Sequence, residues 1–117
     1  MTAHQGAQDE IVASMMTWGD VEPRRMFGCD CYLVSGRLFA FFQDEGVVVK
    51  VPPPLREGLL TDARAVPFTP RSGVPFGNWL HLGLADPADA AFALPAVEKS
   101  YRQAQAAPAA RRRQARR

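Results

Sequence analysis

Cysteine is scarce in this chain: Cys29 and Cys31 are the only two among 117 residues. A disulfide framework is therefore excluded as the source of stability. No apolar run approaches the roughly 20 residues that a bilayer-spanning helix needs, so no membrane span is expected. The opening MTAHQGAQDE has neither a basic start nor an apolar segment. It does not read as a secretory signal, and the cytoplasm is the expected location. There is no glycine-rich phosphate loop, since Gly28 stands alone. No serine lies in a nucleophile-elbow string, no carboxylate cluster is readable, and no segment repeats. Lysine is short too, two against twelve arginines, a bias of GC-rich coding that carries no functional message.

What is present describes one soluble globular domain, 47% hydrophobic and 22% charged, long enough to bury a core. The net charge of +2 conceals an asymmetry. Arg111, Arg112, Arg113, Arg116 and Arg117 crowd into the last seven positions, and the remainder holds nine basic against twelve acidic residues, a net of −3. A globular face that binds nucleic acid is normally basic itself. Residues 1–8 are expected to form a disordered leader, 9–104 one α/β domain, and 105–117 a disordered arginine-rich tail.

Within the domain, Ile11, Val12, Met15 and Trp18 share one helical face, with Asp9 as cap and Gly19 as left-handed terminator. The period then shortens. MFGCDCYLV and RLFAFFQ read as strands joined by Ser35-Gly36, and the turn Asp44-Glu45-Gly46 leads into the β-branched run Val47–Val51. PPPLREGLLTDA reads as a helix, with Leu55, Leu59 and Leu60 toward the sheet. Pro67 to Phe76, with three prolines and Ser72-Gly73, suits an edge hairpin. In the next strand Leu80, Leu82 and Leu84 alternate with Trp79, His81 and Gly83. Asp86-Pro87, with Asp89 three residues on, marks a capped helix start, and Pro95 predicts a kink or restart. Val97, Tyr101 and Ala104 face inward. The expectation is an α+β, two-layer fold with an antiparallel five-stranded sheet, in the order α-β-β-β-α-β-β-α.

The string RRMFG (Arg24 to Gly28), followed by YLVSGRLFAFF, VVVKV with Lys50, PFT, the Trp79 strand and DPADAAFALPAVEKSY, resembles the N-terminal domain of the TfoX competence regulators. That domain also occurs as free-standing small proteins. The resemblance spans roughly residues 10 to 104 and does not extend to the second domain of full-length regulators. It implies a two-layer fold similar to YjbR-like and secretion-chaperone-like architectures, and it implies no catalytic residues; Phe27, in the central motif, is expected in the core. Small residues, mainly glycine, often stand in the family where this chain has Cys29 and Cys31.

The chemistry candidates each have a plain alternative. Cys29 and Cys31 face the same side of a strand and supply two soft ligands. Zinc needs two more, and only His4 and His81 are in view, so core packing is expected. His81 can serve as a general base, or as a satisfied histidine on a sheet face. Trp79 can line a small-molecule groove with His81 and Arg25, or pack under a helix. Arg24 and Arg25 can grip a phosphate or a partner carboxylate, or pair with Asp20 or Glu22 at a solvated strand end. The tail arginines lack interleaved aromatics, so any nucleic-acid binding through them would be weak and indifferent to sequence. The expected protein is a non-enzyme without cofactor or metal that binds a protein partner, a homodimer through sheet or helix faces being one form of that. Nucleic-acid association through the tail is the second reading and a small-molecule groove the third.

Overall fold

The computed structural model describes residues 3–26, 28–68 and 79–106. Among these described residues, three helices and six strands follow in the order α1 (Ala3–Met15), β1 (Val21–Met26), β2 (Cys29–Val34), β3 (Arg37–Gln43), β4 (Gly46–Lys50), α2 (Pro53–Leu59), β5 (Ala65–Pro67), β6 (Trp79–Gly83) and α3 (Asp89–Ala106). The strands form one sheet in the order β1-β2-β3-β4-β6-β5, each neighbouring pair antiparallel. The α+β class stands, with six strands in place of five and the order α-β-β-β-β-α-β-β-α.

The added strand is β1. Met26 through Val34 read as a single strand, but the chain reverses at Gly28, whose φ of 75° glycine adopts freely. Glu-Pro-Arg-Arg on its near side pairs with β2, Val21 opposite Val34 and Met26 opposite Cys29. This edge strand is exposed along most of its length, so it shows none of the alternation that reveals half-buried strands.

Helix α1 starts at Ala3, ahead of Asp9, so the supposed leader contributes to the fold. Ala7, Ile11 and Met15, at successive spacings of four, are all fully buried. Alanine carries too little hydrophobic signal to have announced that first turn. The left-handed residue after α1 is Asp20 (φ 62°), not Gly19; a short polar side chain tolerates that conformation.

Helix α3 starts as its sequence predicts. Asp86 Oδ1 accepts the Ala88 N–H at 2.9 Å, and Asp89 Oδ2 accepts the Asp86 N–H at 3.1 Å, a reciprocal cap. The helix then continues through Pro95 without the expected restart. The carbonyl that Pro95 cannot satisfy belongs to Ala91, which is exposed, and water can serve it. Arg64 ties the α2–β5 loop to this helix. Its guanidinium holds Asp62 and Asp89, each at 2.8 Å, and lies 3.8 Å from the centre of the Phe92 ring. Those Arg64 hydrogen bonds lower the Asp62 carboxyl to about 2.

The main core lies between the helices and one sheet face. Tyr32, Val34, Ala40, Phe42, Val47, Val49, Leu80 and Leu82 meet α1 and α3, and Leu55, Leu59 and Leu60 pack at the margin. A bulge between Tyr32 and Leu33 leaves Phe39 without a cross-strand partner and turns it into this core, where it is fully buried. Ser100 repairs the ladder there: its hydroxyl donates to the Phe39 carbonyl at 2.6 Å and accepts the Lys50 N–H at 3.1 Å.

Gly46 begins β4 and does not occupy the turn; the turn residues are Asp44 (φ 52°) and Glu45 (φ 56°). Two side chains in the left-handed region each cost about 1–2 kcal/mol over the ordinary conformation. Glu45→Gly should therefore stabilise the fold by about 0.5–1 kcal/mol in urea denaturation, because the Glu45 carbonyl keeps its bond from the Leu84 N–H at 2.9 Å. A destabilised variant would show that the Glu45 side chain outweighs the backbone strain.

Among the described residues, both edge strands of the sheet carry a proline. The bonds Phe68 N–H to Trp79 O and Gly83 N–H to Arg64 O alternate past Pro67, so its nitrogen faces away from β6. In β1 Pro23 stands opposite Tyr32, and a residue without an N–H fits an edge strand where its nitrogen points outward.

Candidate interaction surface

Successive residues of a strand point to opposite faces, and this separates the two arginines of RRMFG. Arg25 lies on the helix side, where Nη1 bonds Asp30 Oδ1 at 2.8 Å and Nη2 bonds the Gly28 carbonyl at 3.2 Å. Arg24 lies on the other face and pairs with Glu22. The two guanidiniums do not converge on one ligand. Both pairs are solvent-exposed, a setting in which an ion pair is worth about 0–1 kcal/mol.

Trp79 and His81 share the helix-free face with Arg24, but β1 and β6 are four strand spacings apart, about 19 Å. Arg25 therefore does not join them in a groove. Trp79 packs away from the helices, not under one. Its ring centre is 6.0 Å from that of Phe41, and Phe68 meets the same ring edge-on at 5.4 Å. His81 Nε2 lies 2.8 Å from the Gln43 carbonyl. A carbonyl only accepts, so Nε2 carries the proton and is committed to the backbone.

The cysteines sit in a second apolar cluster on this helix-free face. Cys31, Leu33, Phe41 and Val48 are buried at its centre, with Met26, Cys29, Leu38, Phe68 and Trp79 packed around them. Cys29 and Cys31 are not joined in a disulfide. Burial, and then the adjacent Cys29, push the Cys31 thiol up, which disfavours the thiolate that binds metals or attacks substrates. Among the described residues no three His, Cys, Asp or Glu side chains are grouped to hold a metal.

The clefts near these residues are small. One of about 190 Å³ is lined by Pro23, Arg24, Arg25, Asp30, Cys31 and Tyr32. Another of about 250 Å³ lies between Gln5 and Gln8 of α1 and the β3–β4 turn. Ligand pockets usually measure about 300–1,000 Å³. Phe27, most of the Pro67–Phe76 hairpin and the five tail arginines lie outside the described residues.

What sequence reasoning missed is the second cluster as a unit. Its signal lies in the other register of each strand, Cys31 and Leu33 against Phe41 and Val48, and becomes a unit only once the strands are paired. Among the described residues no helix is long and apolar enough to cross a membrane.

The family model of the TfoX N-terminal domain matches residues 13–104. No curated protein and no solved structure matches the chain.

Proposed function

This chain belongs to the TfoX N-terminal domain family, and from that membership we propose a non-enzymatic, cytoplasmic regulatory module that binds a protein partner. The observation that carries the reading is the margin of the helix-free face, whose centre is buried but whose edge leaves a large apolar side chain in solvent. On the helix-free side Val66 is 48% exposed, beside half-buried Phe68 and Trp79. An apolar surface of this kind, with the charged Lys50 at its border, is what protein contacts use. Affinity capture from native lysate tests it. A protein retained after nuclease treatment and lost with Val66→Glu supports the reading; capture that nuclease abolishes overturns it.

The five arginines of 111–117 favour nucleic-acid association as a second reading. Deleting 107–117 should leave the melting temperature unchanged and remove nearly all affinity for labelled DNA or RNA. Five arginines release few counterions, so the log–log salt slope should be no steeper than about −4 to −5. Equal binding by the truncated protein would refute the tail's role and point to the domain itself.

A further inference from the structure

Arg24, Arg25, Arg64 and Arg102 each hold a carboxylate. Lys50, at the end of β4, does not. It is exposed, and among the described residues its ammonium has neither ion pair nor hydrogen bond. Its backbone N–H is engaged by Ser100. In the register Lys50 stands opposite Trp79, and Val48 opposite His81, which in turn faces Val66. The unneutralised cation and the exposed Val66 thus occupy one face, two strands apart, about 10 Å across the strands.

We propose that this corner of the sheet docks a short acidic-apolar segment of a partner protein. An apolar side chain covers Val66 and the rims of Phe68 and Trp79, and a carboxylate two to four residues away along an extended chain reaches Lys50. The inference rests on the partner-binding reading and supplies its chemistry. The apolar contact provides affinity through area removed from water. Lys50 provides selection, because a basic segment there would meet an unopposed like charge.

A random-peptide display selection on the full chain tests both parts, with binding of the recovered peptides measured as fluorescein conjugates by polarisation. Peptides enriched in Asp or Glu near a bulky apolar residue are expected. Val66→Ser should weaken them at least tenfold, and Lys50→Glu should shift the selection toward Lys and Arg. Both positions are exposed, and matching thermal melts confirm that each variant folds. Recovery of basic peptides, or acidic peptides indifferent to both substitutions, overturns the site while leaving partner binding elsewhere intact. Recovery of no peptides overturns the site, and lysate capture then judges the broader reading separately.

Discussion

Gly46→Ala is expected to destabilise the fold by about 2–4 kcal/mol, far more than one methyl group usually costs at the start of a strand. A Cβ at this position would lie 2.6 Å from the Leu82 carbonyl oxygen and against Cε1 and Nε2 of His81. The imidazole could swing aside only by giving up its bond to the Gln43 carbonyl. The Leu82 oxygen is backbone in the adjacent strand β6, so relief there means moving the pairing of β4 with β6. Overpacking of this kind costs about 1–3 kcal/mol, occasionally more. Urea denaturation of Gly46→Ala alone and with His81→Ala separates the two clashes. Removing the imidazole should restore part of the loss but not all of it. Full rescue would show that the carbonyl is not an obstacle, and a loss under 1 kcal/mol for the single variant would contradict the close approach altogether.

Phe39→Ala should cost about 3–5 kcal/mol, the range for emptying a buried aromatic site. Phe39 is fully buried and meets the Tyr101 ring edge-on at 5.3 Å. Tyr101 is itself fixed, donating its hydroxyl to the Gly19 carbonyl at 2.7 Å and packing 5.2 Å from Trp18. The surroundings therefore have little freedom to collapse into the vacated space. Phe39→Leu, which keeps most of the volume, should cost well under half as much. Equal losses for the two variants would mean that the bulge geometry, not ring packing, sets the effect.

Where local chemistry decides an element, the sequence announced it. The Asp86–Asp89 cap is complete within four residues, and the Leu80, Leu82, Leu84 alternation needs only strand periodicity. Elements decided by tertiary context were harder to read. Glycine serves tight turns and close approaches alike, so Gly46 passed as a turn residue when it is in fact the space that receives His81. Pro23, Arg24 and Arg25 gave no strand signal because an exposed edge imposes no pattern. At the candidate surface, the arginine pair of RRMFG looked like one charged unit. Once the segment is a strand, the same adjacency sends the two side chains to opposite sides of the sheet. A large aromatic on a strand suggests burial beneath a helix, because aromatics chiefly supply buried area, but the sequence does not say which face the helices cover. The helix-free face, with its own buried centre, supplies a different home for the indole.

The outward-facing prolines of the two edge strands bear on the behaviour of the protein at high concentration. A six-stranded antiparallel sheet ending in complete ladders would offer two templates on which another chain could add, and repetition of that step is how ordered aggregates grow. Pro23 within β1 and Pro67 at the end of β5 each delete a donor an incoming strand would need, so every added strand would start with a missing bond. Growth by end-to-end sheet extension is thereby penalised at both ends of each molecule. The exposed Val66 corner of the helix-free face can remain available for recognition without the chain becoming a seed for fibres.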